Sequence, residues 1–251
     1  MAAWQQFSTV WLALIIATTI VSGMSNCPDE TVGLSCDNLN DRSEWGVCTV
    51  RGDPHINTLD GKEWRYFGHC EYILSEFCED NDNDFQITAD FDPRAKNPSQ
   101  TYAASVTLKI GGDTFTIGVG GANPAIGTYT TVENGYIVYV FANAANTKLY
   151  IRVTLNDEDI VRISYREKFH LIEIHFDYGT HYDQVCGLCG VWDGKESNDL
   201  KTKSNKPRSS KTKSTGSRKR RGLPHNTSHQ EFGIAWKLNE DCVEPDIPQN
   251  P

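Results

Sequence analysis

The run Phe169-His170-Leu171-Ile172-Glu173-Ile174-His175-Phe176 reads as a strand, with apolar and polar side chains largely alternating. A period of two puts Ile172, Ile174 and Phe176 on one face, which is assigned to the core. Working outward, runs of the same kind cover Phe85 to Phe91, Tyr102 to Ile110, Thr114 to Val119, Tyr136 to Phe141, Lys148 to Thr154 and Asp159 to Tyr165. Turn residues separate them at Gly111-Gly112, Gly120-Gly121, Asn134-Gly135 and Asn156-Asp157. About seven short strands at this spacing predict an all-β fold, an antiparallel β-sandwich rather than a parallel α/β sheet. The strand signal runs from Trp64 to Phe176, with no amphipathic helix beyond about three turns and no internal repeat. His170 and His175 are read as ordinary histidines of the last strand, on opposite faces and unable to share one metal.

The two ends of the chain have a different composition. Residues 1–23 carry no charge, and their apolar run from Val10 to Val21 suits a signal peptide ending in the small residues Val21, Ser22 and Gly23. No later stretch is apolar enough to span a bilayer, so a secreted, extracellular product without a transmembrane anchor is expected. Eight cysteines follow the signal segment, an even number that predicts four disulfides among roughly 100 formal pairings. The tripeptide Asn226-Thr227-Ser228 is a glycosylation sequon, as in an exported glycoprotein.

Charge is unevenly divided among the 251 residues. Residues 201–222 hold ten Lys or Arg and no acidic residue, leaving 14 basic against 33 acidic residues elsewhere, about −19 by formal count. A body of that charge repels nucleic acid and attracts cations. The basic stretch has few apolar side chains and reads as a flexible insert. Its Arg218-Lys219-Arg220-Arg221 matches the recognition pattern of furin-like proteases; a patch for sulfated glycans and a solvated linker are the other readings. The chain has no GxSxG elbow, phosphate loop or HExxH helix, so no catalytic residues are assigned.

Three cysteine-containing blocks carry the most information. The first runs from Cys48 through Arg51-Gly52-Asp53-Pro54-His55 and Thr58-Leu59-Asp60-Gly61 to Phe67-Gly68-His69-Cys70; the second is Cys186-Gly187-Leu188-Cys189-Gly190 with Asp193-Gly194 and Asn198-Asp199; the third is Phe232-Gly233-Ile234-Ala235-Trp236 leading to Cys242. In the second block Asp193, Asn198 and Asp199 concentrate hard oxygen donors around a glycine turn, a composition that favours Ca²⁺ over Zn²⁺. The three blocks, in this order, resemble the type D domain of von Willebrand factor over residues 48–242. Residues 24–47 are then a short cysteine-containing N-terminal segment and 243–251 a tail.

The resemblance implies a calcium loop with ligands from Asp60, Asp193, the Lys195 carbonyl, Asn198 and Asp199; Val191 stands where the family usually has Asn. It implies disulfides Cys48–Cys189, Cys70–Cys242 and Cys78–Cys186, leaving Cys27 with Cys36. A structural role for Cys186-Gly187-Leu188-Cys189 outweighs thiol redox chemistry, because the motif precedes an acidic loop. Type D domains with Gly-Asp-Pro-His include self-cleaving ones. At Asp53-Pro54 the side-chain carboxyl would attack its own carbonyl carbon, and His55 would protonate the departing Pro54 nitrogen. The alternative is a simple turn. Arg51-Gly52-Asp53 also spells the integrin tripeptide, which Pro54 restricts, and is treated as coincidence.

The leading expectation is a non-enzymatic, calcium-stabilised and disulfide-locked interaction module for extracellular adhesion, matrix or mucus-like assembly. Its partners would be extracellular proteins or glycans, and it would act as a monomer or weak homo-oligomer. The alternative is a secreted protein processed at Asp53-Pro54 or after Arg221.

Overall fold

The computed structural model describes residues 45–78, 85–200 and 229–243. The signal peptide, Cys27 and Cys36, the basic insert with Arg218–Arg221, and Asn226 lie outside the described residues.

Fourteen strands form two sheets among the described residues. In chain order they are β1 (Trp45–Arg51), β2 (His55–Asn57), β3 (Glu63–Arg65), β4 (Glu71–Phe77), β5 (Phe85–Arg94), β6 (Asn97–Ile110) and β7 (Asp113–Gly118), then β8 (Gly121–Asn123), β9 (Thr128–Thr131), β10 (Tyr136–Ala142), β11 (Leu149–Leu155), β12 (Glu158–Arg166), β13 (Leu171–Asp177) and β14 (Val185–Cys186). One sheet has the order β3-β2-β1-β13-β12-β11-β10-β9 and the other β14-β4-β5-β6-β7-β8, with antiparallel pairing throughout. All seven expected strands are present within a few residues of the positions read from alternation. The four expected turns connect paired strands; Asn156 and Asp157, both at positive φ, close the β11–β12 hairpin.

Ile172, Ile174 and Phe176 are fully buried and share a core with Val138, Val140, Ile151, Val153, Val161 and Ile163 of the same sheet. The other sheet contributes Ile87, Phe91, Val106, Leu108 and Ile117. Each such side chain removed from water stabilises the fold by about 1.5–3 kcal/mol before the entropy cost of ordering it. Tyr165 of β12 crosses the interior and donates its hydroxyl proton to the Ala103 carbonyl of β6 at 3.1 Å, fixing the two sheets against each other.

One expectation for the last strand is corrected. β13 begins at Leu171, and His170 sits before it at φ 46°, capping a 3₁₀ turn of Glu167–Phe169 by donating its backbone N–H to the Glu167 carbonyl at 3.0 Å. Its ring packs on Tyr102 at 4.2 Å, whereas His175 is buried within β13.

β4 is covered on both faces, which is why its sequence lacks alternation. Along its edge opposite β5, the segment after β14 continues the ladder through Leu188 N–H to the Ile73 carbonyl and Cys189 N–H to the Leu74 carbonyl. Gly187 makes this possible, since a Cβ there would sit 2.2 Å from the Leu74 carbonyl oxygen. The C-terminal helix α2 (His229–Ala235) sets its Phe232 ring 5.0 Å from Trp64 of β3, and the carbonyl of Trp236 just after it accepts the Ile73 amide of β4 at 2.9 Å.

Candidate functional site

The Thr58–Gly61 turn after β2 and the loop following Cys189 meet at one end of the sandwich. Leu59 N–H donates to the Cys189 carbonyl at 2.9 Å, and the Cys48–Cys189 disulfide anchors the junction to β1. Asp60 accepts from the amides of Asp193, Gly194 and Lys195 at 3.2, 3.1 and 2.8 Å, so its carboxylate organises the loop backbone. Asp193 accepts from the Asn198 amide group at 2.7 Å and from the Lys195 backbone at 3.1 Å. Asp199 is 1% exposed and accepts the Thr58 hydroxyl at 2.5 Å. Gly190, at φ +83°, passes so close that a Cβ would stand 2.8 Å from the Asp199 carboxyl.

Two oxygens in this cluster are buried without a hydrogen-bond partner, Asn198 Oδ1 and Asp199 Oδ1. The Val191 amide nevertheless lies near enough to favour the Asp199 charge. Burial dominates, and with the charges of Asp60 and Asp193 it raises the Asp199 carboxyl to about 6 against the Thr58 bond and the nearby Val191 amide. Asp193 moves the other way: burial opposes its ionisation, but bonding from Asn198 and the Lys195 charge hold the carboxyl below its usual range. The structure therefore gathers all five residues expected to form the oxygen loop. Among the described residues no three His, Cys, Asp or Glu side chains converge as closely as direct metal ligation requires. The donors here are hard oxygens and two of them are orphaned, the donor type that calcium selects, while the loop backbone occupies the Asp60 carboxylate. Thr58 was not singled out as a partner of Asp199; their separation of 141 residues hides the contact from the sequence.

The Gly-Asp-Pro-His segment joins β1 to β2. Asp53 accepts from Arg94 Nε at 2.8 Å and from Gln100 Nε2 at 2.9 Å, both on the β5–β6 hairpin. Pro54 is buried and its carbonyl accepts the Tyr66 amide at 3.1 Å. The Asp53 carboxylate is thus engaged within the fold rather than displayed beside Arg51, consistent with treating the integrin tripeptide as coincidental. Burial, then Arg65 and Arg51, push His55 below the usual histidine range. Arg94 and Gln100 have no local sequence signal as partners of Asp53, because hairpin register brings them there.

Two of the expected disulfides are formed, Cys48–Cys189 and Cys70–Cys242. The third expected pair is corrected: Cys78 and Cys186 are not bridged to each other. Cys186 pairs in register with Glu76 in the β14–β4 ladder, whereas Cys78, just past the end of β4, donates its amide to the Gln184 carbonyl at 2.8 Å, two positions away. Such diagonal residues are about 7–8 Å apart, beyond the usual disulfide span. The Cys186-Gly187-Leu188-Cys189 motif therefore has a bridged Cys189 and a free Cys186 thiol.

The profile of the von Willebrand factor type D domain matches residues 48–206. The chain belongs to this family. Type D relatives include Mucin-5B of Gallus gallus, 26% identical over 227 residues that cover 86% of this chain and 9% of the relative. Mucin-5B of Homo sapiens is 25% identical, with coverage of 89% and 4%, and zonadhesin of Sus scrofa is 26% identical, with coverage of 78% and 7%. The chain spans less than a tenth of the length of each of these relatives. No helix among the described residues is long and apolar enough to cross a membrane.

Proposed function

We propose that this type D domain is a secreted, calcium-stabilised interaction module contributing to extracellular adhesion, matrix or mucus-like assembly, and that it performs no substrate turnover. The observation that carries the calcium reading is the oxygen cluster where the Thr58–Gly61 turn meets the loop after Cys189, with orphaned oxygens on Asn198 and Asp199. Asp60, Asp193, the Lys195 carbonyl, Asn198 and Asp199 would hold the ion. A divalent cation there offsets the mutual repulsion that raises Asp199. Similarity to mucins and zonadhesin supports the assembly role.

Calcium should raise the melting temperature and chelation should reverse the shift. At about one hundred times the dissociation constant, binding contributes roughly 2.7 kcal/mol. Asp199→Asn should abolish the calcium response while retaining the Thr58 contact. Identical melting with calcium and with chelator would refute the calcium reading.

A second reading is self-processing at Asp53-Pro54, favoured by the fixed Asp53 carboxylate between Arg94 and Gln100. Attack on the Asp53 carbonyl carbon would give a cyclic anhydride, later opened by water, as the protonated Pro54 nitrogen leaves. Because His55 is depressed, proton supply should favour acidic conditions. After incubation at mildly acidic pH, reduction should release a fragment ending at Asp53, since Cys48–Cys189 holds the two pieces together. The Asp53→Ala variant should remain one chain; cleavage persisting there removes Asp53 from the chemistry. By the same reasoning, a product cut after Arg221 would remain tethered through Cys70–Cys242.

A further inference from the structure

We infer that the cleft at the β1–β2–β3 edge binds an anionic saccharide, one bearing a sulfate or carboxylate group. It extends the adhesion reading to a ligand class but uses a surface separate from the oxygen loop. The ladder register places Arg51 opposite His55 and His55 opposite Arg65, a row of basic side chains across three neighbouring strands. Directly opposed residues have Cβ atoms about 5 Å apart, and like charges in such positions repel. Neither arginine forms an ion pair among the described residues, and both are exposed. Burial first, then the charges of Arg65 and Arg51, hold His55 below its usual range, with Asp53 and Glu63 opposing.

The row borders a cleft of about 330 Å³, with Trp64 and His229 also in its lining. That volume is at the small end for ligand sites. Asn57, on the same face as His55, lines the cleft with a buried oxygen, Oδ1, that has no hydrogen-bond partner. An unmade bond to a buried group is costly, so beside the arginines the Asn57 oxygen calls for a ligand that also donates. A guanidinium pair recognises sulfate or carboxylate oxygens, whereas the Asn57 oxygen needs a donor such as a sugar hydroxyl. An anionic saccharide combines these groups within a small volume. An extended acidic peptide would place further carboxylates near Glu63 and the strongly acidic body, about −19 outside the basic insert.

Calorimetric titration of the full secreted chain with N-acetylglucosamine-6-sulfate and with 3′-sialyllactose tests this assignment and separates the sulfate and carboxylate sources. At least one should bind saturably, while neutral lactose should not. Arg51→Gln and Arg65→Gln should each weaken binding about tenfold. Joint substitution of Arg218, Lys219, Arg220 and Arg221 by Ser should leave it unchanged. Both arginines are exposed, so unchanged melting identifies variants that remain folded. No binding of either acidic sugar, binding retained in both arginine variants, or loss in the insert variant would overturn the proposal. Stronger binding of a tetraglutamate peptide to the same arginines would also overturn it by assigning the cleft to acidic peptides. These outcomes are distinct from the calcium response of melting, which tests the module reading separately.

Discussion

Removing the Cys48–Cys189 bridge by paired Cys48→Ala and Cys189→Ala substitutions should cost about 5 kcal/mol of stability, because the bridge closes a separation of 141 residues. In a domain of this size the loss corresponds to a fall in melting temperature of about 10–20 °C. Both cysteines are fully buried, so alanine avoids introducing an unsatisfied hydroxyl. The consequence extends beyond unfolded-state entropy: this bridge holds the segment after β14 against β1 where Cys189 bonds to Leu59 and Leu74. Calcium response should therefore weaken along with stability. Cys186→Ala provides the contrast, since that thiol closes no loop, and should cost well under half as much. Equal losses from the two experiments would contradict the observed pairing.

Alternation made the central strands legible because their apolar residues form one row, as Ile87 and Phe91 do on β5, while polar residues on its other face, Gln86 and Thr88, are buried through bonds to Glu76 and Glu71. The N-terminal strands were obscured for different reasons. In β1 the inward position at Gly46 has no side chain; the Trp192 ring fills the space so closely that a Cβ would lie 2.6 Å away. β4 is buried on both faces, and β8, β9 and β14 are too short to establish a period. Family motifs identified the oxygen-loop residues, but the Thr58–Asp199 bond and the Arg94–Gln100 clamp on Asp53 required strand register and loop docking. The same limit hid the Arg51–His55–Arg65 row, whose members are ordinary surface residues until three strands are aligned. The absence of a bond between Cys78 and Cys186 marks where a family pattern exceeded the observed local geometry.

Acidification should destabilise the sandwich through His175 and His181. Burial lowers both to about 4, and each is at most 4% exposed. His175 faces Arg162 across the β12–β13 ladder, with Trp45 nearby; the Lys148 and Arg162 charges lower it further, while Glu173 partly opposes them. His181 lies among Phe77, Phe85 and Phe176, with Nδ1 2.6 Å from the Thr180 hydroxyl and a bond to the Asp177 backbone that partly favours its charge. In the unfolded chain both titrate near 6.5, so that state binds more protons as pH falls from about 6.5 to 4. Each histidine therefore withdraws up to about 3 kcal/mol of stability across that interval. Asp199 has the opposite sign: with its folded value raised to about 6, protonation relieves an unfavourable buried charge and returns up to about 3 kcal/mol as pH falls toward its unfolded value. The net loss without calcium should be about 3 kcal/mol, read as a lower urea midpoint near pH 4.5 than at pH 7. His181→Phe, which keeps an aromatic ring among the three phenylalanines, should remove roughly half of the histidine contribution. A midpoint that stays constant with pH in the wild-type chain, or a pH dependence unaltered by His181→Phe, would show that His181 does not couple folding to protonation.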